Sequence, residues 1–154
     1  MPMTVTIDFA QASGWIAKLV LAAVVIGLLY TAWSRLRRWW ASRKFDGSDL
    51  ASMRRRWAEI ESMSSQPGEM GLKMAVMEAD KLLDNALKTL AMPGNTLGER
   101  LKFAGYKWPD LKKVWWAHRV RNQLAHEASY HLDSGIARRA IRSYGSALKL
   151  MGAI

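Results

Sequence analysis

The hydrophobic pattern of the chain begins with one long apolar run. Residues 16–33 read IAKLVLAAVVIGLLYTAW, and Lys18 is the only charged residue among them. As a helix this run would be roughly 27 Å long, close to the ~30 Å thickness of the hydrocarbon core of a membrane. The pattern therefore predicts a transmembrane helix over residues 15–34, preceded by a short extracytoplasmic segment of residues 1–14.

The charges on the two sides of this run predict its orientation. Asp8 is the only charged residue before Lys18, whereas residues 35–44 carry five Lys or Arg residues. Because positively charged flanks stay in the cytoplasm, the N-terminus is expected outside the membrane and the C-terminal domain in the cytoplasm. Lipid is the expected partner of residues 15–44.

Other interpretations of this region fit the sequence less well. A cleaved signal peptide would carry positive charge before the apolar run and small residues at its end, and the charge order here is the reverse. A buried core helix of this length would rarely lack a polar face. Trp39, Trp40 and the neighbouring arginines are predicted to lie among lipid headgroups, although an RNA-binding patch would use the same residue types.

After a basic linker over residues 35–48, apolar positions recur at the spacing of helices. Met70, Met74 and Leu83 follow this spacing, and the methionines are predicted to fill gaps in the core. Strand-like alternation is not sustained in any segment, so residues 49–154 are predicted to form an all-α domain of four or five short helices. The predicted helices cover residues 50–63, 69–91, 96–104, 109–127 and 134–151.

Capping residues mark the starts of several of these helices. Asp46 and the residues after it offer N-cap groups for the first one. Thr96 and Glu99 have the spacing of a capping box, in which each residue bonds the backbone of the other. Pro109 suits the first turn of a helix, and Asp133 suits the N-cap of the last.

Composition and charge narrow the classes of function. The chain has 154 residues, of which 50% are apolar and 23% charged, as is typical of a folded protein. The absence of cysteine excludes a disulfide scaffold and thiolate chemistry. The net charge of +10 divides evenly, because residues 1–45 carry six basic and one acidic residue and residues 46–154 carry seventeen and twelve. The second excess is compatible with a phosphate-bearing partner or with a solvated basic surface.

The segment richest in chemical groups runs from Trp115 to Glu127 and reads WWAHRVRNQLAHE. On an ideal helix, His118, Asn122 and His126 follow one another at four-residue spacing and form one polar stripe. The apolar residues of the segment, Trp115, Val120 and Leu124, belong largely to other faces and are predicted to pack in the core.

This segment resembles the HEPN family of small helical domains. The signature of that family is an Arg, usually followed by a polar residue, with a His four to six residues further on. The sequence from Arg121 to His126 is RNQLAH, which has the common form R-N-x-x-x-H. A long helix before this motif and a basic helix around residues 136–141 extend the resemblance over about residues 50–152. The resemblance implies a four- or five-helix HEPN-like bundle.

Many HEPN domains are metal-independent ribonucleases, so the resemblance implies RNA cleavage by attack of a ribose 2′-hydroxyl, with no cofactor. Arg121, Asn122 and His126 are the predicted catalytic residues. Arg121 would bind phosphate oxygens, His126 would exchange a proton near neutral pH, and Asn122 would orient one of them. His118 and Arg119 are predicted to bind the RNA substrate.

The spacing of Arg121 and His126 limits how they can act together. Residues five positions apart point roughly 140° apart around an ideal helix, so they would not converge on one site. Either the helix loosens near His126, or two copies of the chain pair and share a cleft. Dimerisation is typical of the family and favours the homodimer, which anchoring in one membrane would assist.

Several alternatives stay open. If the motif had no function, Arg121 would pair with Glu127 or bind helix-end carbonyl groups, and His126 would be an ordinary helix-end histidine. The domain would otherwise bind RNA, a nucleotide or a protein without cleaving, or dimerise as a scaffold at the membrane. A metal pair of His118 and His126 lacks a carboxylate at suitable spacing. A neutralising or regulatory protein partner is not identified by any pattern in the sequence.

Overall fold

The structure, a computed structural model, describes residues 9–42, 44–127 and 129–154, without the side chains of residues 9–14, 17 and 37–42. Residues 1–8, which were predicted to lie outside the membrane, fall outside the described residues. The side chains of Trp39 and Trp40, which were predicted to lie among lipid headgroups, also fall outside them. Helices joined by short connections make up the described ranges, which contain no strand. The prediction of an all-α protein is confirmed.

The chain divides into two compact units, and the first ends at Ser42. It contains α1, Phe9–Ser42. Within α1, Lys18–Leu36 is long and apolar enough to cross a membrane, with a mean hydropathy of 1.8 and no side chain buried inside the protein. Thr31 Oγ1 donates a hydrogen bond to the carbonyl of Leu28 at 2.9 Å. Such a bond satisfies the hydroxyl without water, as a membrane-spanning helix requires.

The second unit begins at Arg43 and contains α2 Gly47–Ser65, α3 Glu69–Thr89, α4 Leu97–Lys107, a 3₁₀ helix Pro109–Val114, α5 Trp115–His126 and α6 Ser134–Met151. The prediction of one α-helix over residues 109–127 is wrong in its first part, which is 3₁₀. Pro109 lacks an N–H group, and Trp108 before it is extended, at φ −129° and ψ 88°. Residues 105–107, predicted as a loop, continue α4 instead, and the N–H of Trp108 bonds to the carbonyl of Ala104.

The predicted N-caps are confirmed. The Asp46 carboxylate accepts a hydrogen bond from the N–H of Asp49 at 2.7 Å, and this bond is the main cause that lowers the pKa of Asp46. Thr96 caps α4 by accepting from the N–H of Glu99. The Glu99 side chain, however, accepts from the N–H of the residue before Thr96, so this part of the predicted capping box is shifted by one residue. Asp133 caps the first turn of α6.

Helix α3 lies at the centre of the second unit, in contact with α2, α4, α5 and α6. The prediction that Met70 and Met74 fill the core is wrong, because these side chains are 71% and 46% exposed. The apolar stripe of α3 lies on the opposite side of the helix from both methionines. The buried residues of this stripe include Leu72, Ala75, Val76, Ala79, Leu83 and Leu87.

Candidate functional site

One carboxylate lies within the apolar stripe of α3. Asp80 is 2% exposed, and it sits one turn after Val76 and one turn before Leu83. A buried charge is costly unless it is paired and hydrogen-bonded. Asp80 meets this requirement with three partners from two other helices: His118 and Arg121 on α5 and Tyr144 on α6.

Both hydrogen bonds to Asp80 end on the same oxygen. Asp80 Oδ1 lies 2.7 Å from His118 Nδ1 and 2.9 Å from the hydroxyl of Tyr144. Burial and the negative charge of Asp80 raise the pKa of Tyr144, so its hydroxyl keeps the proton that it donates. Asp80 therefore joins α3 to α5 and α6 through one oxygen atom.

Arg121 supplies the opposite charge. Its Nε lies 3.0 Å from Asp80 Oδ2, although the N–H direction does not meet hydrogen-bond geometry, so the contact is an ion pair. A second guanidinium nitrogen, Nη1, donates to Asn122 Oδ1 at 3.1 Å. The alternative in which Arg121 pairs with Glu127 is thus replaced by a pairing with Asp80. The Arg121 side chain stays 28% exposed, which leaves part of its guanidinium open to solvent.

Asn122 completes a chain of hydrogen bonds. Its Nδ2 lies 3.4 Å from His118 Nε2, a long and weak hydrogen bond. Because Asn122 Oδ1 accepts from Arg121, Nδ2 is the donor and His118 Nε2 the acceptor. The same assignment makes His118 Nδ1 the nitrogen that donates to Asp80.

The surroundings of His118 leave little open space. Its side chain is 13% exposed, and the ring of Trp115 meets it edge to face with centroids 6.2 Å apart. Gly98 on α4 lies beside both rings: an added Cβ there would be 3.5 Å from Trp115 and 4.0 Å from His118 Nε2. A side chain at position 98 would therefore be in van der Waals contact with both rings.

The structure divides the predicted site residues of α5 into two groups. His118, Arg121 and Asn122 form the network with Asp80. Arg119 and His126 are exposed, and among the described residues neither has a hydrogen bond or an ion pair. Helix α5 stays regular up to His126, so no loosening of the helix brings this residue towards Arg121.

The loop that follows α5 is held by α3. Glu69 Oε1 accepts from the N–H of Leu132 at 2.7 Å, and Glu69 Oε2 lies 2.7 Å from His131 Nδ1. Lys73 bonds to Glu69 and also donates to the carbonyl of Tyr130. The hydrogen bond from Lys73, followed by that from Leu132, lowers the pKa of Glu69 to about 2. These contacts fix residues 130–132, and they engage the third histidine away from the network.

Sequence reasoning missed Asp80 and Tyr144. Asp80 left a signal, because it is an acidic residue at a position where the stripe of Val76, Ala79 and Leu83 predicts an apolar one. Tyr144 left none, since a tyrosine on a core face is ordinary. Among the described residues, no three His, Asp or Glu side chains are grouped so that they could hold a metal ion.

Comparison of the chain with protein-family profiles, with curated proteins and with solved structures gave no match.

Proposed function

We propose that the protein is a membrane-anchored, HEPN-like domain that cleaves RNA without a metal ion. The observation that supports this most is the state of His118. A buried carboxylate holds its Nδ1, and its Nε2 is an acceptor bound only by the long contact to Asn122. An imidazole oriented by a carboxylate in this way is the arrangement of a general base.

The reaction would be an internal transfer at one phosphodiester. His118 Nε2 accepts the proton of a ribose 2′-hydroxyl as the 2′-oxygen forms a bond to the neighbouring phosphorus. The bond from phosphorus to the 5′-oxygen breaks, and a protonated imidazole, that of His126, gives this oxygen a proton. The products are a 2′,3′-cyclic phosphate and a 5′-hydroxyl.

The other residues of the network support this reaction. Asp80 stabilises the positive charge that develops on His118, since it already binds Nδ1. Arg121 faces the phosphate with the part of its guanidinium that Asp80 and Asn122 leave open, and it offsets the charge of the transition state. A substrate hydroxyl replaces Asn122 at His118 Nε2, which costs little because that contact is 3.4 Å long.

His126 acts in this proposal from a second copy of the chain. On one helix, residues eight positions apart are separated by roughly 12 Å along the axis and 80° around it, so His118 and His126 of one copy cannot flank one phosphate. A homodimer that pairs the outer sides of α5 would place His126 of each copy opposite the network of the other. The membrane anchor, with the N-terminus outside and the domain in the cytoplasm, would keep two copies close together and give them access to RNA.

A second candidate is a module that binds RNA, a nucleotide or a protein without cleaving. The chain of contacts from Arg121 through Asn122 to His118 and Asp80 favours it, because these side chains pair with one another without a ligand, and only Arg121 Nε is left with an ion pair in place of a hydrogen bond. In that case the network stabilises the packing of α3, α5 and α6 and takes no part in chemistry.

The decisive experiment uses the purified full chain in detergent micelles, incubated with single-stranded RNA and EDTA. The unchanged chain should produce 2′,3′-cyclic phosphate ends. His118→Gln and His126→Ala should each lower the rate by about 10²- to 10⁴-fold, the usual contribution of one acid–base group. His131→Ala is the matched control, because His131 is exposed and bound to Glu69, away from the network; its rate should be unchanged.

Mixing two inactive variants tests the shared cleft. A dimer of one His118→Gln chain and one His126→Ala chain carries one intact pair of histidines, so activity should return in part. Absence of cleavage by the unchanged chain, with RNA still bound, would replace the proposal by the non-catalytic module. Equal rates for His118→Gln and His131→Ala would remove His118 from the mechanism.

A further inference from the structure

Charge is distributed unevenly over the second unit. Residues 111–126 and 134–154, which form most of the 3₁₀ helix, α5 and α6, contain eight Lys or Arg residues and no acidic residue. The rest of this unit contains eleven basic and twelve acidic residues. The positive potential is therefore concentrated on three elements that contact one another.

Two of the eight basic residues form ion pairs with other described residues. Arg121 belongs to the network with Asp80, and Lys113 pairs with Asp110 at 2.7 Å. The other six are exposed side chains, and no hydrogen bond or ion pair to another described residue holds any of them. They are Lys112, Arg119, Arg138, Arg139, Arg142 and Lys149.

One of these cations lies against an aromatic ring. The guanidinium carbon of Arg139 on α6 is 4.7 Å from the ring centroid of Trp116 on α5. Trp116 is half-buried and Arg139 is exposed, so the indole supports the guanidinium from the protein side. Arg119 lies three residues after Trp116, on the same outer side of α5.

A supported guanidinium is a flat, charged surface on which a nucleic-acid base can stack. Proteins that bind single strands combine such stacking surfaces with cations that follow the phosphates. In a duplex the bases are already stacked on each other, so their faces are not available to Arg139. This pairing of a stacking surface with free cations favours a single strand over a duplex, whose phosphates alone would bind the cations.

We propose that Arg139, supported by Trp116, and the exposed cations around it form a binding surface for single-stranded RNA on α5 and α6. The inference rests on the proposed function, for which it names the class of substrate and the surface that holds it. Arg139 stacks on a base, while Arg119 and Arg142 bind phosphates.

The test measures binding separately from cleavage. The full chain carrying His118→Gln is placed in nanodiscs of zwitterionic lipid, and fluorescence anisotropy follows a labelled single-stranded RNA of about twelve nucleotides in EDTA. Arg139→Ala should weaken binding by about 5- to 150-fold, the range for the loss of one stacking contact. Arg139→Lys keeps the charge without the flat group and should lose nearly as much. Arg119→Ala should lower the slope of log affinity against log salt by about 0.7.

The matched control is Arg54→Ala, which removes the same charge from an exposed position on α2. Its affinity should stay within about twofold of the parent, since Arg54 is not part of the proposed surface and one such charge adds only a small screened attraction. Equal losses for Arg54→Ala and Arg139→Ala, full binding by Arg139→Lys, or equal affinity for a duplex of the same sequence would each overturn the proposal.

Two further outcomes separate this inference from its rival and from the proposed function. If Arg139→Ala lowers binding of the chain to phosphatidylserine vesicles and leaves RNA binding unchanged, the surface contacts lipid and the proposal is wrong. If RNA binds through Arg139 but the unchanged chain never cleaves it, the binding surface stands and the catalytic proposal fails.

Discussion

The inner and outer sides of α5 carry the same kinds of residue in opposite surroundings. On the inner side, His118 and Arg121 bind a carboxylate that is 2% exposed. On the outer side, His126 and Arg119 are exposed and have no polar partner among the described residues. A histidine and an arginine therefore stabilise the fold on one side of a helix, and on the other side they remain free to contact something else.

The same difference divides the two ends of the predicted motif. Arg121 and His126 are the two ends of the R-N-x-x-x-H pattern, yet the first is tied to the interior and the second is not. Substitutions on the inner side should change stability as well as any activity. Substitutions on the outer side should change only function, so the two sides can be told apart by measuring the free energy of unfolding.

The largest effect is expected from Asp80→Ala. It leaves the guanidinium of Arg121 without its counter-charge and removes the acceptor of His118 and Tyr144, and breaking a buried ion pair costs about 3–5 kcal/mol. Urea unfolding of the full chain in micelles, followed by near-UV circular dichroism, measures the loss. Asp80→Asn keeps the shape and one oxygen acceptor and should lose less. A loss below about 1 kcal/mol for Asp80→Ala would mean that the inner side is not a stabilising cluster.

Tyr144→Phe sharpens the comparison by removing one donor and leaving the ring. Hydrogen bonds to charged groups contribute about 1.5–3 kcal/mol, so the free energy of unfolding should fall by that amount. The same unfolding assay applies. An unchanged value would show that Asp80 is fully satisfied by α5 alone.

Acid should release residues 130–132 from α3 only at low pH. Glu69 has its pKa lowered from 4.5 to about 2, so its contribution is complete above pH 4.5 and is lost as the pH falls towards 2. The amide proton of Leu132, which donates to Glu69, should keep its NMR shift down to about pH 3 and then move. Glu69→Gln cannot titrate and should abolish the transition. A midpoint near 4.5 in the unchanged chain would contradict the contacts seen at Glu69.

The smallest effect on stability is expected from His126→Ala. Surface substitutions away from caps and cores usually change the free energy of unfolding by less than about 0.5 kcal/mol. The same change should remove RNA cleavage, if the shared cleft is correct. Loss of more than about 1 kcal/mol in urea unfolding would mean that His126 has a structural role that its exposed position does not reveal.

The sequence predicted much of the fold because helices leave local signals. The N-caps at Asp46, Thr96 and Asp133, and the apolar N-terminal helix, follow from residues close together in the chain. The errors at Met70 and Met74 arose because methionine fits either a core or a surface, and only Leu72 and its neighbours identify which side of α3 is buried.

The sequence predicted only the part of the candidate site that lies within one helix. The polar stripe that contains His118 and Asn122 is visible on α5, and the structure joins these two residues. The partner that gives His118 its state, Asp80, is 38 residues earlier in the chain. Contacts across such a separation depend on how α3 and α5 pack, which periodicity within one helix does not determine.

Because one oxygen of Asp80 accepts from both His118 and Tyr144, these three positions should not vary independently during evolution. Replacing one of them leaves the others with an unpaired buried group, whereas replacing all three together with Arg121, the ion-pair partner of Asp80, by apolar residues removes the need for pairing. Related sequences should therefore keep all three residues or lose them together. Chains that have lost them would hold α3, α5 and α6 together by apolar packing alone.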